Sequence, residues 1–362
     1  MTSSPDTARA WVDIDLDALV ANARAVVAAC GSRLLPMLKA NGYGLGAVPV
    51  ARALEPLDPW GFGIATPEEG AALRAQGITR PLLLTSPLAP EWIGPCLELG
   101  LRPAIGDPAS LRAWLARGDH PFHLEIDTGM ARAGVRWDDE SALADVAGQL
   151  ERAGGWEGVF THFHSADTDP PSAAEQWRRF QATLERLPRR PALTHAANSA
   201  AALQGRCYAA DLVRPGIFLY GGGAGGPTPR PVATLRARVV AIRTLEAGDS
   251  VSYDATWKAP HRCTIATLGI GYADGVPRAT SLADPEPRLV ELGQGLAPLV
   301  GRVTMDMCMV AVDDLPVSVG DVATIFGGRV SLDAQARASG TISYELLTAL
   351  GPRVVRRYKG AA

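Results

Sequence analysis

A chain of 362 residues, 47% hydrophobic and 20% charged, has a globular composition and is too long for one ordinary core, so it predicts two domains. A net charge of −3 without a long basic run excludes nucleic acid as the main partner. Five scattered cysteines without CxxC spacing argue against a disulfide framework or a zinc site, and no stretch reaches the about 18 apolar residues of a spanning helix; the expected compartment is the reducing cytoplasm, with no membrane partner.

In chain order, Asp15 or Asp17 can cap a helix that places Leu19, Val20, Ala23, Val26 and Val27 on one face and stops at Gly31. Short apolar runs then predict strands at 33–38, 61–65, 81–85, 101–105, 122–127, 158–163, 192–195 and 211–213. Helical patterns fall between them at 67–76, 108–117, 139–152 and 173–187. Eight strands alternating with helices over roughly 200 residues predict a parallel α/β fold, and that length suits a closed (β/α)8 barrel of the TIM type better than an open sheet. Five glycines and three prolines in the eleven residues 221–231 interrupt both helix and central strand and mark a boundary. Beyond it, β-branched runs at 235–243, 250–253, 263–270, 298–303, 307–312 and 322–326 predict a mostly β C-terminal domain, with helical material only at 332–350. The expected domains are therefore 10–228 and 229–362, with residues 1–9 able to pack on the second.

In a parallel barrel, reactive groups collect where strands end. Lys39 directly follows the first strand, beside Tyr43, with Gly42 and Gly44 leaving the backbone bare. A lone lysine in a loop is more often a solvated surface residue. Polar residues recur at the later strand ends, however: Arg132 after the fifth, His162 and His164 after the sixth, His195, Asn198 and Ser199 at the seventh, Arg214, Gly216 and Ile217 after the eighth. The loops after strands seven and eight of such barrels are a recurrent phosphate site, which suits the backbone N–H groups near Ser199 and Gly216–Ile217. No Cys/His/Asp spacing points to a metal.

The order of short motifs resembles the alanine racemases, a pyridoxal phosphate-dependent family of fold type III. They are Lys39-Ala40-Asn41-Gly42-Tyr43-Gly44, Asp127-Thr128-Gly129-Met130 followed by Arg132, Thr161-His162-Phe163, His195-Ala196-Ala197-Asn198-Ser199 and Val213-Arg214-Pro215-Gly216-Ile217. Val251-Ser252-Tyr253-Asp254-Ala255-Thr256, Gly269-Ile270-Gly271-Tyr272-Ala273-Asp274-Gly275 and Gly301-Arg302-Val303-Thr304-Met305-Asp306 continue the series in the second half. The resemblance implies pyridoxal 5'-phosphate held covalently by Lys39, with Tyr253 of a partner subunit as second base in a homodimer with shared sites, and alanine as the small-molecule substrate. It implies that Arg214 faces the pyridine nitrogen and Arg132 the phenolic oxygen. Tyr43, Ser199, Gly216, Ile217 and Tyr272 would hold the phosphate, and His195 and Asn198 would complete the cofactor shell. Met305 and Asp306, from the second subunit, would line the substrate entrance, with Arg132 also near substrate. A free tyrosine ionises near about 10, so cationic neighbours must stabilise a phenolate base, and the resemblance nominates His162 and Arg214.

Three departures stand out. Glu125 occupies a position where many members carry a carbamylated lysine, and its own negative charge is expected to orient Arg132. Leu45 replaces the usual histidine, and a phosphate-contacting tyrosine of some members falls near Pro352. The rival readings are a racemase that also accepts serine, a decarboxylase sharing the two-domain plan, and a non-catalytic pyridoxal phosphate-binding protein. The decarboxylase would require an acidic residue at position 214, and the binding protein would be a barrel alone. One added hydroxyl is discriminated by only about a hundredfold in a small pocket, so the sequence does not separate alanine from serine.

Overall fold

A computed structural model describes residues 7–278, 287–313 and 315–360. The expectation for residues 1–6 lies outside the described residues. Eight parallel strands form one curled sheet in the order Arg33–Leu34, Leu212–Val213, Leu193–His195, Trp156–Phe160, Phe122–Asp127, Arg102–Ile105, Leu82–Pro87, Phe62–Ile64. Its two edges meet: Leu38 N–H donates to Gly63 O at 2.7 Å, and Gly63 N–H donates to Pro36 O at 2.9 Å. The strands are rich in apolar residues because helices cover the outer face and side chains fill the inner one; Leu82, Leu83 and Leu84 are all fully buried.

The first helix, Leu16–Cys30, starts at Asp15, whose carboxylate accepts from Ala18 N–H at 2.9 Å, and ends at Gly31, φ 72°. Leu19, Ala23 and Val26 are buried as expected, whereas Val27 is exposed. At 100° per residue Val27 turns off the stripe, and Leu16 and Cys30 complete it instead. The helices expected at 67–76, 108–117, 139–152 and 173–187 span Pro67–Ala75, Pro108–Leu115, Glu140–Leu150 and Pro170–Leu184, each opened by a side-chain cap from Thr66, Asp107, Asp139 or Asp169.

The second sheet runs Cys263–Leu268, Cys308–Ala311, Gly295–Val300, Leu289–Leu292, Val322–Phe326, Ala233–Leu245, Ala10–Asp15, Val355–Lys359. Ala10–Asp15 lies antiparallel to Ala233–Leu245 and parallel to Val355–Lys359. The expected barrel start at residue 10 therefore assigns this strand to the wrong layer; Ala10–Asp15 and Val355–Lys359 both belong to the β domain. The helical stretch expected at 332–350 is two helices, Leu332–Ala338 and Ser343–Thr348, interrupted at Gly340, φ 66°. One continuous apolar core joins the two halves. Among the described residues no helix is long and apolar enough to cross a membrane.

Candidate active site

The carboxyl ends of the parallel strands surround a cavity of about 430 Å3. Lys39, Tyr43, Glu125, Arg132, His162, Asn198, Ser199, Arg214, Gly216 and Ile217 all line it, so ten of the residues nominated from sequence converge. His195 sits behind the wall, fully buried.

Lys39 is followed by a left-handed turn. Ala40, Asn41, Gly42, Tyr43 and Gly44 all have positive φ, between 53° and 79°. Each non-glycine residue in that conformation costs roughly 1–2 kcal/mol, so the surroundings must hold the turn. Glu69 accepts from Ala40 N–H at 2.6 Å and from Ala65 N–H at 2.7 Å. Asn41 Oδ1 accepts from Ala47 N–H at 3.0 Å. From the second domain Arg356 donates twice to Gly44 O, at 3.0 and 3.1 Å, and Tyr358 donates to Leu45 O at 2.9 Å. A Cβ on Gly44 would come within 2.2 Å of Leu347 O, so only glycine fits this domain contact. Leu45 is fully buried beneath the turn. Burial first, and then the charge of Arg132, pulls the Lys39 ammonium below its ordinary value, which favours the free amine a nucleophile or base needs.

Arg214 is 5% exposed and densely held. Its Nη1 lies 2.6 Å from His195 Nδ1, and its Nη2 donates to Thr161 O at 2.7 Å and Ala196 O at 3.0 Å. Nη2 also lies 3.2 Å from His162 Nδ1. His162 was expected as a cationic neighbour; burial and then Arg214 hold it well below its ordinary value, so it is a neutral imidazole. Since Arg214 only donates, His162 Nδ1 accepts and its Nε2 carries the proton. The cationic character on this side of the cavity comes from Arg214.

Asp127 Oδ1 accepts from Gly129 N–H at 2.9 Å and Ala131 N–H at 3.1 Å, a turn that carries Arg132 to the cavity mouth with its side chain exposed. Glu125 stays on the strand below. Among the described residues no direct ion pair joins Glu125 to Arg132, so the expected contact is replaced by attraction through space. Burial pushes the Glu125 carboxyl up to about 7, against the pull of Arg132 and Arg214, leaving it near half-ionised at neutral pH rather than fully negative.

On the opposite wall, Ser199 Oγ accepts from Gly216 N–H at 2.9 Å, which leaves its proton free to donate. Among the described residues the Ile217 N–H has no protein acceptor. A Cβ on Gly216 would come within 2.2 Å of Tyr43 Oη; the missing side chain lets that hydroxyl stand against bare backbone. Three cationic side chains, two hydroxyls and an uncommitted N–H make a donor set for an anion such as a phosphoryl group, with Lys39 available for an aldehyde. The residues fit pyridoxal phosphate.

Not all nominated residues reach the cavity. Tyr253 is 68% exposed, Met305 52% and Tyr272 41%, and none of them, nor Asp306, lines it. Tyr272, expected at the phosphate, lies in a turn of the second domain where its N–H donates to Thr304 O at 3.0 Å. Asp306 pairs with Arg353 at 2.8 Å. Pro352 is exposed, and the second domain's tyrosine at the cavity is Tyr344, which the sequence reading missed. Tyr344 lies 6.0 Å from the ring of Tyr43, which itself stacks on Tyr220 at 4.5 Å. His164 faces solvent beside Ser165.

Comparison with known proteins gives a consistent result. Residues 14–224 match the family model described as alanine racemase, N-terminal domain, and residues 232–358 match alanine racemase, C-terminal domain. The chain is 41% identical to an alanine racemase of Deinococcus radiodurans over 96% of this chain and 99% of that one. Among solved structures it is similar to an alanine racemase of Clostridium difficile (TM-score 0.90, 29% identity, 98% of this chain and 96% of that one). It is also similar to one from Bartonella henselae with covalently bound pyridoxal phosphate (TM-score 0.89, 29% identity, 97% of this chain and 100% of that one).

Proposed function

The chain belongs to the alanine racemase family and interconverts L-alanine and D-alanine, and from that premise we propose that it does so with pyridoxal phosphate and two bases, Lys39 and Tyr253 of the partner subunit. The observation that carries the proposal is Lys39, a half-buried lysine at a cation-rich cavity, its ammonium pulled below its ordinary value by burial, with Tyr253 of the same chain lying away from that cavity. The meeting sheet edges support a closed (β/α)8 barrel as the platform, over the segment between the N-terminal strand and the glycine–proline linker.

In this reading Lys39 anchors the cofactor, Tyr43, Ser199, Gly216 and Ile217 hold its phosphate, and Arg214 and Arg132 face its ring. When bound, pyridoxal phosphate supplies the electron sink that makes a Cα proton removable. Lys39 Nζ handles that proton on one face. On the other face a phenolic oxygen must do so, and Tyr253, exposed and off its own cavity, is available to a second copy. His162 Nε2–H and the fixed charge of Arg214 would favour the ionised phenol there. With the cofactor bound, the always-charged guanidinium of Arg214 would oppose protonation of the ring nitrogen and so weaken the sink and limit side reactions. Met305 and Asp306, on the same exposed side as Tyr253, would border the substrate entrance of the partner's site. Five free cysteines, four of them buried, suit a reducing cytoplasm.

Incubation with L-alanine in D2O tests the function directly. D-alanine should appear with deuterium at Cα; decarboxylation, or binding without exchange, contradicts the proposal. Serine run in parallel fixes the breadth of the substrate range.

Glu125 yields a second expectation. Glutamate titrates near 4.5 when unperturbed and near about 7 in the fold. Between those values the folded chain keeps a proton that the unfolded chain has released, so stability is lost as pH rises through this window. Glu125→Gln removes the titration. Relative to the wild type the variant should gain about 3 kcal/mol between pH 5 and 8, read from urea unfolding at each pH. Turnover should fall, because Arg132 loses the charge below it, and bicarbonate should leave the wild type unaffected. A pH-independent stability difference, or a strong bicarbonate response, counts against this role.

A further inference from the structure

A chain of buried polar contacts leaves the cavity and crosses the interior of the parallel sheet, and the chemistry above does not use its far end. Arg214 Nη1 lies 2.6 Å from His195 Nδ1, and His195 Nε2 lies 2.8 Å from His123 Nδ1. His123 Nε2 then lies 3.4 Å from Glu157 Oε2, and Arg102 Nε lies 3.3 Å from the same oxygen. Both imidazoles are fully buried. His195 ends its strand at the cavity, whereas Arg102 and Glu157 begin theirs at the opposite end of the sheet. The route is sterically prepared: a Cβ on Gly158 would come within 2.5 Å of the His123 ring.

The direction of every link follows from one end. A guanidinium only donates, so His195 Nδ1 must be a bare acceptor and its proton must sit on Nε2. That proton points at His123 Nδ1, which must also be bare, and His123 therefore carries its own proton on Nε2. Adding a proton to either ring would set two N–H groups against each other somewhere along the chain. Burial lowers both imidazoles, with the charge of Arg214 acting the same way, while Glu157 pulls His123 upward. The final link is the weak one. At 3.4 Å it falls short of a hydrogen bond, and His123 Nε2 has no well-aligned partner among the described residues. Arg214 at one end and the Glu157 carboxylate at the other thus bias both rings toward the same tautomer.

We propose that Glu157 is a positioning residue for Arg214: acting through His123, it holds both imidazoles as neutral Nε2–H tautomers and so keeps the His195 Nδ1 lone pair on the guanidinium. The consequence for the cofactor rests on the proposed function, but the tautomers do not. Without this acceptor the His123 proton is free to move to Nδ1, His195 reverses, and Nη1 of Arg214 meets an N–H.

Nitrogen-15 NMR of the histidine-labelled full chain tests this without any turnover. At neutral pH His123 and His195, like His162, should show a bare Nδ1 and a protonated Nε2, each assigned among the six histidines by single replacement. Glu157→Leu should give mixed tautomers and weaken pyridoxal phosphate binding roughly tenfold, since it removes the negative charge that faces the buried His123 N–H. Glu157→Gln, whose amide oxygen still accepts, should retain the wild-type tautomers and stay within about twofold in affinity. A protonated Nδ1 on His195 in the wild type overturns the proposal, as does a Glu157→Leu protein that matches the wild type in both signals and affinity. If Glu157→Leu does not fold, Glu157→Ala serves in its place, with the same expected and overturning results. If the tautomers are as stated but the wild type binds no pyridoxal phosphate, it is the functional reading that fails.

Discussion

Lys39→Ala should abolish racemisation, by at least about 10^4-fold, and should leave the protein unable to fix a pyridoxyl group on reduction with borohydride. The effect is large because one amine serves twice, as covalent anchor and as proton carrier. Lys39→Arg should fare no better. A guanidinium keeps the charge but stays protonated, so it offers neither a nucleophile nor a base. The sequence makes the control unusually clean, since Lys39, Lys258 and Lys359 are its three lysines. Lys359 is paired to Asp15 at 3.0 Å on the second domain, and Lys258 is exposed. Peptide mapping of the reduced wild type should therefore find the label on the peptide containing Lys39. Label on either of the other two, or full racemase activity in Lys39→Ala, would remove the basis of the functional reading.

The strand ends were readable because parallel strands buried on both faces are written as short apolar runs, and polar residues just beyond them stand out. What a single sequence could not show was how those residues are held. Of the non-glycine residues only Asn41 is of a type that tolerates positive φ readily, and the turn exists because Glu69 from one helix and Arg356 and Tyr358 from the last strand close around it. A local signal for Glu69 was present, since Thr66 and Glu69 have the spacing of a capping box at the start of the Pro67–Ala75 helix. The carboxylate reaches past that cap to the backbone beside Lys39.

Protonation was less legible still. Glu125 was expected to be negative from its residue type and His162 cationic from the family resemblance, but burial decides both. Burial is a property of everything packed around a group, not of its neighbours in sequence. The fully buried His123 shows the opposite case. It alternates with Glu125 and Asp127 along one strand, a period-two pattern visible in Phe122–Asp127, yet its partners His195 and Glu157 arrive from two other strands. The placement of Ala10–Asp15 failed for the same reason: its pairing with Val355–Lys359 spans nearly the whole chain.

Tyr253→Phe should lower racemisation by about 10^3-fold or more while leaving exchange at Cα of a single enantiomer, because Lys39 still serves one face of the substrate. Proton NMR in D2O, run separately on L-alanine and D-alanine, separates the two cases. Equal exchange from both enantiomers, or undiminished racemisation, would mean that this phenol is not the second base. Placing the phenol on a partner subunit makes a further demand. Each protein alone, Lys39→Ala or Tyr253→Phe, is expected to be dead. In a mixed dimer one site combines both defects, while the other combines an intact Lys39 from one subunit with an intact Tyr253 from its partner. Random reassociation makes about half the dimers mixed, each with one working site of two, so equimolar mixing should restore about a quarter of wild-type activity. No recovery after demonstrated subunit exchange would place both groups in one chain, contrary to the exposure of Tyr253 and its absence from the cavity that holds Lys39.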